Sequence, residues 1–164
     1  MSNGNVAFIG LGTMGFPMAG HLAANGYRVT IYNRTPARAE AWLENHAGTA
    51  QPTPAAAAHE ADMVFSCVGN DDDVRAVVLG ETGVFAGMKK DAVLIDHTTT
   101  SAMVARELDE IARHGGFHFL DAPVSGGQAG AENGQLTVMV GGDRTAFERA
   151  RPVMECYGRA VTLM

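Results

Sequence analysis

Val6-Ala7-Phe8-Ile9-Gly10-Leu11-Gly12-Thr13-Met14-Gly15 runs from four apolar residues into three glycines spaced G-x-G-x-x-G. An apolar strand that ends on this spacing and enters a helix gives each glycine a task. Gly10 makes the tight turn, Gly12 lets the backbone approach a pyrophosphate, and Gly15 lets the helix pack closely on the strand. The helix start adds free N–H groups and the positive end of its dipole. Gly10, Leu11, Gly12, Thr13, Met14 and Gly15 are therefore candidate dinucleotide ligands, the alternative being an incidental turn.

Outward from that turn, short apolar runs alternate with helical patterns, the order expected of βαβ units and a parallel sheet. Strands are expected at Asn5 to Gly10, Arg28 to Tyr32, Met63 to Val68, Ala92 to Ile95, His118 to Leu120, Thr137 to Val140 and Ala160 to Leu163. Helices are expected at Gly12 to Asn25, Pro36 to Asn45, Ala55 to His59, Asp72 to Leu79, Ser101 to His114 and Thr145 to Tyr157. Thr35 before Pro36, Asp71 to Asp73 and Thr100-Ser101 supply start signals. The reading is a single α/β domain over residues 1–164: doubly wound, mainly parallel, of the Rossmann type.

A length of 164 residues with 46% hydrophobic side chains suits one domain with a sizeable core. A net charge of -6 and no basic cluster argue against a nucleic-acid partner. No apolar run approaches the ~20 residues of a membrane span and no basic leader precedes the first strand, so a cytoplasmic protein is expected. Cys67 and Cys156 lack metal-ligand spacing and read as buried free thiols. No metal site is expected; Asp71, Asp72 and Asp73 read as helix-start acids rather than ligands.

Where an acid at the end of the second strand would accept from the adenosine ribose hydroxyls, this chain has Asn33-Arg34-Thr35. Arg34 can pair with a 2′-phosphate and stack on adenine, and Thr35 can add a hydroxyl. NADP is therefore expected over NAD, which stays possible; the alternative is an exposed loop arginine.

Two segments carry a more specific resemblance. Phe8-Ile-Gly-Leu-Gly-Thr-Met-Gly-Phe-Pro-Met-Ala-Gly-His-Leu22 and Asp121-Ala-Pro-Val-Ser-Gly-Gly-Gln-Ala-Gly-Ala-Glu-Asn-Gly-Gln-Leu-Thr-Val-Met-Val-Gly-Gly142 resemble the β-hydroxyacid dehydrogenase family, which includes 3-hydroxyisobutyrate dehydrogenase and tartronate semialdehyde (2-hydroxy-3-oxopropionate) reductase. The resemblance runs from about Asn5 to Met164. It implies an oxidoreductase that moves hydride reversibly between a nicotinamide and a small 3-hydroxy acid or semialdehyde. By the family pattern, Val68 and Asn70 lie beside the riboses and Thr99 near the nicotinamide. Gly69 stands where the family often has proline.

Ser125, Gly126 and Gly127 match the family's substrate loop. A hydroxyl and glycine amides can converge there on a small carboxylate without Cβ obstruction, the alternative being a glycine-rich turn entered at Pro123. The resemblance also implies a catalytic lysine on a helix that follows the nucleotide domain, beyond Met164, in a helical domain that supplies most of the contact in a homodimer or tetramer. Lys89 and Lys90, the only lysines, match no such motif. The chain is thus expected to be the cofactor-binding half, with no catalytic residue of its own, inactive alone and exposing apolar surface near its last strand. The rival is a non-catalytic NADP(H)-binding module. Among the histidines, His97 lies at the ligand-binding end of a strand and is expected to be a packed or exposed residue.

Overall fold

In the computed structural model, which describes residues 3–164, the strand β1 (Asn5–Ile9) divides its side chains between two cores. Val6 and Phe8 join one apolar cluster, Ala7 and Ile9 the other. A strand apolar on both faces belongs in a sheet covered by helices on both sides. Met1 and Ser2, part of the expected 1–164 span, lie outside the described residues.

The chain continues through α1 (Gly15–Ala24), β2 (Arg28–Tyr32), α2 (Pro36–Asn45), β3 (Thr49–Ala50), α3 (Pro54–Ala58), β4 (Met63–Ser66), α4 (Asp71–Val78), α5 (Val84–Gly87), β5 (Val93–Asp96), α6 (Ala102–Gly115) and β6 (His118–Asp121). These strands form one parallel sheet in the order β3-β2-β1-β4-β5-β6. One face carries Met18, Ala19 and Leu22 of α1 with Trp42 of α2. The opposite face carries Val74 and Val78 of α4 with Val104, Leu108 and Ala112 of α6. The strand order reverses between β1 and β4, where open α/β sheets form a crevice at the carboxyl ends of their strands.

A second sheet follows: β7 (Val124–Ser125), α7 (Gly127–Glu132), β8 (Leu136–Val140), α8 (Arg144–Met154) and β9 (Gly158–Leu163). Its order is β7-β8-β9, with β7 antiparallel and β9 parallel to β8. Two devices join it to the first sheet. Asp121 and Gly141 exchange both backbone bonds, at 3.0 and 2.7 Å. His97, just after β5, is buried beside Tyr157: its Nδ1 meets the Ala122 carbonyl at 2.7 Å and its Nε2 the Tyr157 hydroxyl at 2.6 Å. A carbonyl accepts only, so Nδ1 carries the proton and Nε2 accepts from Tyr157. His97 is thus packed, and burial pushes its pKa down to about 4.

Two helix starts differ from expectation. Thr35 precedes Pro36 but makes no side-chain bond to α2. Asn70, not the Asp71 to Asp73 run, caps α4: its Oδ1 accepts from the Asp73 amide at 2.9 Å. Asp71 instead turns outward, accepting the Ser101 amide at 2.9 Å. The Ser101 hydroxyl caps α6 as expected, accepting from Val104. The sequence reading omitted β3, α5, β7 and α7, and opened the first helix at Gly12 where α1 begins at Gly15.

Candidate functional site

The carboxyl ends of β1, β2 and β4 surround a cleft of about 520 Å³. Gly10, Gly12, Thr13, Met14 and Gly15 line one side, Asn33, Arg34 and Thr35 a second, and Val68 a third. Three segments quoted separately in the sequence thus come together. The glycine turn is built by close packing: Gly10 holds φ +99°, and a Cβ there would strike the Cys67 carbonyl, while a Cβ on Gly15 would strike that of Gly10. At Gly12 a Cβ would meet no atom within 4 Å, because this position opens on the cleft. α1 begins with no side-chain cap and no acid in its first turn. A backbone surface with an open glycine and an uncapped helix start fits a pyrophosphate.

Leu11 does not line the cleft. Its side chain is fully buried, and its backbone is held at both ends: its amide donates to Asn33 Oδ1 at 2.8 Å and its carbonyl accepts from Arg38 Nε at 2.6 Å. Asn33 also donates through Nδ2 to the Thr35 carbonyl at 3.0 Å. One asparagine therefore ties the glycine turn to the β2 turn. Arg38, which the sequence reading missed, completes the brace, its guanidinium 4.4 Å from the Phe16 ring centroid. Its position four residues after Arg34, in the first turn of α2, was the available signal. Arg34 is 85% exposed, with Nη1 3.8 Å from Asp73 Oδ1 across the cleft.

Beneath the third side lies a buried polar chain. The Val68 amide donates to Thr98 Oγ1 at 3.0 Å; Asp96 Oδ1 accepts from the Thr98 amide at 3.1 Å and from Ser66 Oγ at 2.9 Å. Asp96 Oδ2 has no hydrogen-bond partner. Burial raises the Asp96 pKa to about 6 against these hydrogen bonds, and Asp121 on the adjacent strand adds to the rise. Burial likewise pushes the Cys67 thiol, at the cleft wall, up to about 12, which leaves it no thiolate for nucleophilic work.

Other expected site residues stand apart from this cleft. Asn70 is exposed and spends its side chain on the α4 cap. Thr99 is exposed, one residue after the buried Thr98. Ser125 is on β7, while Gly126 (φ +128°) precedes α7 and Gly127 (φ +64°) opens it with nothing within 4 Å of its Cβ position. Lys89 pairs with Asp62 at 2.7 Å and, like Lys90, precedes β5, so both lie at the amino-terminal end of the parallel strands, opposite the end that carries the glycine turn. Among the described residues no group of three or more His, Cys, Asp or Glu could hold a metal, and no helix is long and apolar enough to cross a membrane.

Residues 5–164 match the family model described as the NAD binding domain of 6-phosphogluconate dehydrogenase. The chain is 58% identical over 159 residues to an "Uncharacterized oxidoreductase" of Shewanella frigidimarina, covering 97% of this chain and 55% of the relative. It is 38% identical to the 3-hydroxyisobutyrate dehydrogenase of Pseudomonas aeruginosa, over 96% of this chain and 52% of that protein. The structure of Mycobacterium tuberculosis 3-hydroxyisobutyrate dehydrogenase with L-serine superposes with a TM-score of 0.92 at 34% identity, over 99% of this chain and 54% of the other. The chain spans about half the length of the curated relatives it matches.

Proposed function

The chain belongs to the family of the NAD-binding domain of 6-phosphogluconate dehydrogenase, and from that premise we propose that it is the cofactor-binding half of an NADP(H)-linked dehydrogenase or reductase of the 3-hydroxyisobutyrate dehydrogenase or 2-hydroxy-3-oxopropionate reductase type. The observation that carries this reading is the cleft in which an open glycine turn faces an arginine. When bound, NADPH would give hydride to a small semialdehyde and NADP+ would take it back from the corresponding 3-hydroxy acid. Gly12 and the start of α1 receive the pyrophosphate, Arg34 and Thr35 the 2′-phosphate, and Val68 the edge of a ribose. Asn33 and Arg38 hold the glycine turn in shape for this. Beyond the cleft lining, Thr99 lies near the nicotinamide and the backbone of Asn70, whose side chain caps α4, beside the riboses, while Ser125, Gly126 and Gly127 hold the substrate carboxylate. Met139 and Met164 are exposed, in keeping with an apolar covering over this end of the second sheet.

No proton-transferring group is assigned within this chain, and alone it binds cofactor without appreciable turnover. The placement of both lysines at the far end of the strands supports that statement, and equally favours the second reading, a non-catalytic NADP(H)-binding module. Titration with NADPH and NADH, beside an Arg34→Ala variant, tests the shared part. Loss of a charged hydrogen-bond partner is expected to weaken NADPH roughly ten- to hundredfold and NADH little. Equal affinity for the two cofactors, or an unchanged preference in the variant, refutes the assignment of Arg34. Reduction of tartronate semialdehyde at an ordinary enzymatic rate by this chain refutes the half-enzyme reading.

A further inference from the structure

We infer that Asp73 is a specificity-determining residue that opposes the 2′-phosphate by holding Arg34, so that the cleft discriminates between NADP(H) and NAD(H) less strongly than Asn33-Arg34-Thr35 alone would. The inference rests on the reading of this cleft as the dinucleotide site.

Four observations place the carboxylate there. Asp73 lines the cleft together with Arg34, and its Oδ1 lies 3.8 Å from Arg34 Nη1. It is one of three consecutive acids, and the other two are engaged elsewhere: Asp71 accepts from the Ser101 amide, and Asp72 pairs with Arg75, which also pairs with Glu107. The backbone of Asp73 is fixed in the first turn of α4, where its amide donates to the Asn70 cap at 2.9 Å. Room for its carboxylate comes from Gly69, where a Cβ would strike Asp73 Oδ2. The loop after β4 thus sets a negative charge against Arg34, the cationic side chain that lines this cleft among the described residues.

Only one of the two cofactors feels the pair. A 2′-phosphate has to take Arg34 from Asp73, and the loss of that pair weakens its binding. A ribose without that phosphate leaves the Arg34–Asp73 pair in place. The pair is exposed, so the effect is small and screened by salt.

The test compares NADPH and NADH affinities of the chain, Asp73→Asn, Asp72→Asn, Arg34→Ala and the double variant Arg34→Ala/Asp73→Asn, at low and high ionic strength. Asp73→Asn keeps the shape and the amide donated to Asn70. It is expected to tighten NADPH about two- to fivefold at low ionic strength, the range of an exposed charge pair, with NADH unchanged. High salt should shrink that gain, Asp72→Asn should show none, and the double variant should gain nothing over Arg34→Ala. Asp73→Ser, whose side chain also suits a helix start, repeats the measurement should the asparagine variant fold poorly. Equal changes for NADPH and NADH, or a gain that persists without Arg34, would mean that Asp73 acts only on the helix start, and the inference falls. An unchanged ratio in Asp73→Asn, with the expected NADPH loss in Arg34→Ala, overturns the inference alone. Full NADPH affinity in Arg34→Ala overturns the reading of the cleft on which it rests.

Discussion

Replacing Asp96 by Asn should change the pH dependence of stability more than its size. Asp96 is fully buried, its pKa raised from 3.8 to about 6 chiefly by burial. Between those values the folded chain holds a proton that the unfolded chain has released, so stability falls as pH rises through about 4 to 6 and remains lower above. Two pKa units correspond to about 3 kcal/mol, of which about 2 develops between roughly pH 4.5 and pH 7.5. His97 acts with the opposite sign. Its folded pKa of about 4 lies below 6.5, so its contribution is lost as pH falls through that interval. The two oppose each other in the wild-type chain, and the observable is therefore the difference between variant and wild type. Asn keeps an oxygen for Ser66 and the Thr98 amide but places an amide group at the unpartnered Oδ2 position, at a cost independent of pH. Urea unfolding followed by the single, buried Trp42 should show Asp96→Asn improving against wild type by about 2 kcal/mol from acid to neutral pH. A difference flat to within about 0.5 kcal/mol across that range would refute a buried, proton-holding Asp96.

Three further variants test other parts of the molecule. Tyr157→Phe leaves His97 Nε2 buried without its donor and should cost about 1–3 kcal/mol in the same urea assay, without altering NADPH affinity. Gly12→Ala and Gly10→Ala should separate binding from folding. The first adds a methyl into the cleft, so NADPH and NADH should both bind at least tenfold more weakly (over about 1.4 kcal/mol) at nearly unchanged melting temperature; the second drives a Cβ at φ +99° into the Cys67 carbonyl and should lower the melting temperature by several degrees.

The parallel sheet and its glycine turn were readable because each depends on local pattern. Buried strands such as β5 open on continuous apolar runs, here Val93 to Ile95, and α6 repeats buried residues at Val104, Leu108 and Ala112. The family resemblance drawn from two motifs agrees with the match over residues 5–164. The two residues of β3 are both exposed and have no periodicity to read. α7 is opened by a glycine and carries a second, and its composition signals a turn. Asn70 was read through the family pattern as a ribose neighbour, although its bond to the Asp73 amide follows the ordinary spacing of a cap. The partners of Arg38 and Asp73 were not legible, although Arg38 had a signal in its place after Arg34 and Asp73 was read as a helix-start acid: Leu11 and Arg34 are brought to them only where the carboxyl ends of β1, β2 and β4 meet at the cleft.

The fastening of the second sheet to the first bears on how the molecule opens. The Asp121–Gly141 bridge and the His97–Tyr157 bond both cross the junction, and Tyr157 packs edge-on against Phe65 of β4 as well as His97. Pulling β8 and β9 away would strand the imidazole and the phenol in an apolar core. The amides of β9, although it lies at one side of its sheet, should therefore exchange with solvent only through the same opening that frees β5, so the two sheets form one cooperative unit while the short exposed β3 frays independently.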